Sequence, residues 1–388
     1  MSALALTDAR AFAASLDAEI RSLSNLGYKV LDTPEHSLSL LLEQYEAFVF
    51  DIDGVLLWGS AALAAVGDAV QQLRRQEKRL VFLTNTAAKS RRSCAEGLRR
   101  AGIEVYEEEV ITMAYAAAVF VREAHPEASV AFGIGEAAMK EEFAASGILL
   151  LYAKPQGEPE RQHVQQLEGP LLTADTVEHS STAKKCNGCS GMQEQQEIAA
   201  AAGGAIIEDC LDPRVSAVVV GWDRAFDYHK MALACLYLQQ KKPSLQQHAE
   251  RQGHLKEERD AELGNLPFVA TNRDAYNRIN GLRHPANGAQ LAAIEAVVGR
   301  QAVCVGKESA WLAKWLPTHL NLNPQKTLVV GDRLDTDMRF AANIGAASLL
   351  VLTGCTTPQQ LETLGADKPL APTYIIPHVG QLADGFKQ

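Results

Sequence analysis

Four short stretches of this 388-residue chain carry side chains suited to handling a charged group. The first is Phe50-Asp51-Ile52-Asp53-Gly54-Val55, where two carboxylates two residues apart leave an apolar run and enter a glycine turn. On a continuing strand that spacing would place both side chains on one face. Alone, the pair reads equally well as capping aspartates in a surface turn. Thr84-Asn85 closes RLVFL, Lys307 closes QAVCVG, and Asp332, with Asp335 and Asp337, follows TLVVG. Apart from the lysine, the set holds only hard oxygen ligands and no thiolate or imidazole, which prefers Mg²⁺ over Zn²⁺. Cation, lysine and hydroxyl donors together describe a cradle for a phosphoryl group.

The elements that would position these groups follow a rhythm. Apolar runs at 47–50, 79–83, 129–134, 216–220, 267–271, 301–305, 327–330 and 348–352 each meet a turn of Gly, Asp, Thr or Asn, most of them followed by helical spacing. Continuously apolar strands alternating with helices predict parallel sheets covered on both faces, an α/β fold. Ligands in such sheets sit outside the carboxyl ends of the strands, where the polar residues cluster here. Phe12, Leu16, Ile20 and Leu23 carry helical spacing in residues 1–46, expected to pack outside the core. Residues 152–204 and 241–265 are polar and read as surface insertions. Arg74, Arg75, Lys78 and Arg79 read as the solvated end of a helix.

Composition narrows the class. Hydrophobic residues are 47% and charged residues 22%, as in soluble globular proteins rather than disordered ones. A net charge of −10 argues against nucleic acid as a general partner. No apolar run approaches the ~20 residues of a membrane helix. Asp8 and Arg10 interrupt the first residues and Asp17 and Glu19 follow, so neither a secretory nor a mitochondrial leader is expected. Seven scattered cysteines read as reduced thiols, and a cytoplasmic location is expected.

The order DxDGV, Thr-Asn, VGK, GDxxxxD is similar to the haloacid dehalogenase superfamily of aspartyl-phosphate-forming phosphatases. AVVVGWDRAFDYHKMALACLYLQQ (217–240), FVATNRDAYNR (268–278), VGKES and VVGDRLDTDM resemble its eukaryotic phosphoglycolate, pyridoxal and 4-nitrophenyl phosphatase group. The resemblance implies a Rossmann-like parallel-sheet core over 1–124 and 301–388, with an inserted α/β cap over 125–300. It implies Asp51 as nucleophile and Asp53 as general acid, then base. Thr84 and Asn85 would hold phosphoryl oxygens, and Lys307 would balance charge. Mg²⁺ would be held by the Asp51 carboxylate, the Asp53 carbonyl and Asp332, with Asp337 acting through water. Gly54, Thr86, Asp274, Tyr276 and Asn277 would face the substrate. Asn277 stands where pyridoxal-phosphate-selective relatives carry His and phosphoglycolate-selective ones Leu.

The implied activity is hydrolysis of a small phosphate ester, phosphoglycolate-type foremost, with 4-nitrophenyl phosphate as a generic substrate and a homodimer formed through the cap. A protein phosphatase acting on phosphotyrosine or phosphoserine, and a non-catalytic binding protein on the same fold, are the alternatives. Dehalogenation needs neither metal nor second aspartate, and Asp53 with the GDxxxxD carboxylates speaks against it. The chain departs from the family pattern at Leu57-Trp58, Thr86, PANG (285–288), and Glu308, where Pro is usual.

Two weaker signals compete with bland readings. Gly133-Ile134-Gly135 within GxGxxA resembles a dinucleotide fingerprint, but Lys154 and Pro155 stand where an acid is needed, and a glycine-rich turn is the simpler reading. Cys186 and Cys189, with His179 upstream, form half a zinc site without a second CxxC, so an inert polar loop is favoured.

Overall fold

The apolar runs build two parallel sheets. A computed structural model describes residues 6–31, 34–153, 211–241, 264–279, 282–366 and 368–386. The strands, in chain order, are β1 (Ala47–Phe50), β2 (Leu57–Trp58), β3 (Ala61–Ala62), β4 (Arg79–Thr84), β5 (Val110–Thr112), β6 (Val130–Ile134), β7 (Leu149–Leu151) and β8 (Ala217–Val220). They continue with β9 (Phe268–Ala270), β10 (Tyr276–Ile279), β11 (Leu282–Pro285), β12 (Val303–Cys304), β13 (Thr327–Gly331), β14 (Ala347–Val351) and β15 (Tyr374–Ile376).

The first sheet runs β15-β14-β13-β1-β4-β5, all pairs parallel. Chain order runs outward from β1 through β4 to β5 on one side and from β13 to β15 on the other. The switch point, where such sheets open a crevice, therefore lies between β1 and β13. Register then aligns the chemistry: Phe50 pairs with both Val330 and Phe82, so Asp51, Gly331 and Leu83 stand level and Asp332 and Thr84 follow one step on. Every residue of β1 and β13 is buried, as expected for a sheet covered on both faces.

The second sheet runs β12-β9-β8-β6-β7, also parallel. Alternation splits its side chains between two cores. Ala131, Val219 and Val269 join Val49, Val81 and Val329 of the first sheet in one core, with the alanine-rich helix Met113–Ala124 contributing Ala114, Ala116, Ala117 and Ala118. Phe132, Val218 and Phe268 face a separate core with Leu233, Leu291 and Ile294. The strand expected at 301–305 is shortened to β12, and it pairs with β9. Lys307 therefore enters from the edge of the second sheet, not the first.

Side-chain caps fix where several helices begin. Ser90 accepts from Ser93 N–H, Thr112 from Tyr115 N–H and Ser309 from Leu312 N–H, each worth about 1 kcal/mol. Helices Ala9–Ala14 and Asp17–Asn25 pack onto the first sheet through Phe12 and Leu23. The basic cluster at 74–79 is more than a solvated helix end. Arg74 forms a two-pronged bond to Glu109 at 2.7 and 2.9 Å, and Lys78 Nζ donates to the Leu42 and Tyr45 carbonyls. The bulk of the two polar insertions, with His179, Cys186 and Cys189, lies outside the described residues.

Candidate active site

The strand ends deliver their side chains to one place. The Asp51 N–H extends the β1–β13 ladder to Val330 O at 2.8 Å, which fixes the backbone from which its carboxylate projects. Lys307 Nζ donates to Asp51 Oδ1 at 2.5 Å and to Asp337 Oδ1 at 2.7 Å. The five-residue π-turn Leu334–Met338 swings Asp337 back over Gly331, whose missing side chain leaves the room. There Asp337 Oδ2 accepts from the N–H groups of Asp332 and Arg333, both at 3.1 Å.

Gly54 turns the chain after the paired aspartates. Its φ of +88° is costly for a residue with a side chain. A Cβ there would lie 2.7 Å from Asp332 Oδ2 and 3.1 Å from Gly354 Cα. Asp332 Oδ2 accepts from Cys355 N–H at 2.6 Å, whereas Oδ1 is buried without a donor among the described residues. Oxygens of Asp51, Asp332 and Asp337 lie within 4.8 Å of one another. Such an orphaned carboxylate oxygen beside two further carboxylates fits a hard divalent cation, since a buried acceptor left unmet is expensive.

Electrostatics follow from this crowding. Burial lifts the Asp51 carboxyl well above its usual range, against the pull of Lys307. Burial, aided by Asp337, pushes Asp332 up to about 7. Burial opposes the charge on Lys307, but Asp337 and Asp51 outweigh it and raise its affinity for the proton. Asp53 keeps a face open to the cleft, yet the protein packed around it lifts its carboxyl, with Lys89 and Lys307 pulling the other way. A carboxyl that holds its proton is what a general acid needs.

Among the expected phosphoryl contacts, Thr84 is buried and its Oγ1 accepts from Thr86 N–H at 3.2 Å, leaving the hydroxyl hydrogen to donate. Asn85 is occupied differently. Its Oδ1 accepts from Lys307 N–H at 3.0 Å, its Nδ2 donates to Asp274 Oδ2 at 3.0 Å, and its carbonyl accepts from Asn272 Nδ2 at 2.8 Å. The partners fix the amide's orientation, because a backbone N–H can only donate and a carboxylate only accept. In this arrangement the Asn85 side chain positions Lys307 and Asp274.

A cavity of about 410 Å³ has a wall that includes Arg273, Asp274, Tyr276, Glu308, Arg333 and Arg339, but not Asp51, Asp53, Lys307, Asp332 or Asp337. Of the expected substrate-facing residues, Asp274 and Tyr276 line it, while Gly54, Thr86 and Asn277 do not. Burial lifts Asp274, with Arg333 and the Asn85 bond opposing. Arg333 and Arg339 were not apparent as site residues from sequence. The available signal was their place inside GDRLDTDMR, directly beside the metal-type carboxylates.

The chain is similar to known proteins of one superfamily. Residues 48–149 match the haloacid dehalogenase-like hydrolase family and residues 304–382 the HAD-hydrolase-like family. Human glycerol-3-phosphate phosphatase is 32% identical over 327 residues, covering 82% of each chain. Phosphoglycolate phosphatase 1A, chloroplastic, of Arabidopsis thaliana is 29% identical over 345 residues, covering 88% of this chain and 78% of the relative. The structure of a glycerol phosphate phosphatase from Mycobacterium tuberculosis in complex with magnesium aligns with a TM-score of 0.58 at 22% identity, covering 88% of this chain and 77% of that one. A parallel α/β core with a second sheet, carrying carboxylates at its switch point, defines a hydrolase of the haloacid dehalogenase type. The chain belongs to the phosphatases of the haloacid dehalogenase superfamily.

Proposed function

We propose that this chain is a Mg²⁺-dependent phosphomonoesterase that passes the phosphoryl group of a small ester first to Asp51 and then to water. The observation that carries the reading is Lys307 Nζ held between Asp51 and Asp337, beside Asp332 Oδ1, which has no donor among the described residues. An anionic nucleophile and an anionic phosphate repel each other, and the lysine is placed to offset that repulsion.

The steps balance on the chain's own groups. An Asp51 oxygen attacks phosphorus while the bond to the leaving oxygen breaks, and Asp53 gives its proton to that oxygen. Asp53, now a carboxylate, takes a proton from water as the water attacks phosphorus. The Asp51 O–P bond then breaks and phosphate leaves. Asp51, Asp332, the Asp53 carbonyl and, more remotely, Asp337 would hold Mg²⁺, which when bound supplies positive charge for the phosphoryl oxygens. Both Asp337 oxygens already have donors, in keeping with that outer place.

We read residues 125–300 as the cap, carried on to β12 because Val303–Cys304 pairs with β9 of the second sheet, the assembly as a homodimer through it, and the location as cytoplasmic. The second sheet and the names of the relatives support a small substrate enclosed there. No described helix is long and apolar enough to cross a membrane. The test is hydrolysis of 4-nitrophenyl phosphate: turnover with Mg²⁺, loss with EDTA, and an inactive but folded Asp51→Asn variant. Substantial Asp51→Asn turnover would remove the nucleophile assignment.

A further inference from the structure

Three asparagines form a run of contacts that ends at Lys307. Asn287 opens the helix Asn287–Val298 and is almost wholly buried. Its Nδ2 donates to Asn272 O at 2.7 Å, with Val220 O and Thr271 Oγ1 at 3.3 and 3.4 Å. Asn272 Nδ2 donates in turn to Asn85 O at 2.8 Å, and Asn85 Oδ1 accepts from Lys307 N–H at 3.0 Å. Each side chain thus grips the backbone of the next residue, across 15, 187 and 222 positions of sequence.

The contacts have little slack. Thr271 and Asn272 are buried, and a Cβ at Gly306, next to Lys307, would lie 3.1 Å from Asn272 Cα. The same network seats Asp274: Asn272 Oδ1 accepts from Asp274 N–H at 3.1 Å, and Gly288 N–H donates to Asp274 O at 2.8 Å. The orientation of the Asn287 amide follows from its partners, since carbonyl oxygens can only accept. That orientation leaves Asn287 Oδ1 buried with no donor among the described residues. An unmet buried acceptor weakens the fold, so packing alone would favour a small apolar side chain here. What the amide supplies in return is a donor aimed at the loop after β9 that holds Asn272.

We infer that Asn287 is a positioning residue for phosphoryl transfer: it acts through Asn272 and Asn85 to place the Lys307 backbone, and with it the ammonium between Asp51 and Asp337. The inference rests on the phosphomonoesterase reading and deepens it, tying a helix packed on the second sheet to a site built from strand ends. Lys307 Nζ meets both carboxylates at hydrogen-bond distance, so a small displacement of its backbone reaches the rate before it reaches the fold.

The test is a double-mutant cycle, read as kcat on 4-nitrophenyl phosphate with Mg²⁺ in the full chain. Asn287→Ala should lower kcat about fivefold, less than Asn85→Ala because it stands two links further from the lysine. If Asn287 acts through Asn85, the variant carrying both substitutions should match Asn85→Ala alone to within about twofold. Independent structural damage would instead multiply the two losses. Wild-type kcat for Asn287→Ala, or multiplied losses, overturns the inference and leaves the phosphatase reading intact. Should Asn287→Ala not fold, Asn272→Ala decides, because it cuts the link to Asn85 and keeps the carbonyl that Asn287 grips. A fall of about fivefold or more that vanishes in the Asn85→Ala background supports the inference, and wild-type kcat or multiplied losses overturn it. A wild type unable to hydrolyse 4-nitrophenyl phosphate would remove the inference together with the reading it rests on.

Discussion

Lys307 Nζ and Asp51 Oδ1 lie 2.5 Å apart although their residues are separated by 256 positions in the chain. The lysine comes from a loop after the edge strand of the second sheet and the aspartate from the centre of the first. The contact is therefore a joint between sheets as well as a charge pair.

Lys307→Ala should lower kcat on 4-nitrophenyl phosphate by about a hundredfold or more, the scale of losing one electrostatic donor in a closed site. It should also destabilise the metal-free protein by roughly 3–5 kcal/mol, because it strands buried carboxylates. Steady-state kinetics and denaturant melts read the two effects separately. A variant with wild-type turnover would contradict the assigned role.

Gly54→Ala places a methyl group against Asp332 in a backbone conformation that alanine resists. The Mg²⁺ concentration for half-maximal activity should rise about tenfold or more, with the far-ultraviolet circular dichroism unchanged. An unaltered magnesium titration would show that the turn has no part in shaping the metal site.

Asp332→Asn should trade function for stability. Burial raises Asp332 to about 7, so its folded-state pKa exceeds the unfolded value of 3.8 and stability falls as pH rises from about 4 to 7. In EDTA, removing that charge should raise the melting temperature, and the gain should be larger at pH 8 than at pH 6 by about 1 kcal/mol. Magnesium should no longer shift the melting curve. A lower melting temperature at pH 8 would contradict the charge-crowding argument.

Asn85→Ala removes the acceptor for Lys307 N–H and the donor to Asp274. If its side chain positions the lysine, kcat should fall about tenfold with little change in stability. Equal kcat for the variant and wild type would leave Asn85 without a role in placing Lys307.

The sequence made the convergence of Asp51, Lys307, Asp332 and Asp337 visible because Asp and Lys at the ends of buried strands have few structural uses, and four such ends in one order are distinctive. The α/β class was visible for a related reason, since strands buried on both faces are apolar without interruption. What was hidden depends on pairings that no local pattern encodes. The apolar run at 301–305 could join either sheet, and only pairing with β9 decides it. Asn85 carries the same amide whether it meets phosphate or Asp274. Glycine serves more than one purpose too: a Cβ at Gly133 would lie 2.7 Å from the Tyr152 ring, so close packing explains that residue of the GxGxxA stretch without a nucleotide.

Phosphoryl transfer to one named side chain is most directly tested by trapping. Rapid acid quench of the enzyme turning over ³²P-labelled substrate, followed by borohydride reduction of the acyl phosphate and peptide mass spectrometry, should find the label in quenched protein and the reduced residue at position 51 alone. Label absent from the protein during steady turnover, or reduction mapped to another residue, would contradict the account.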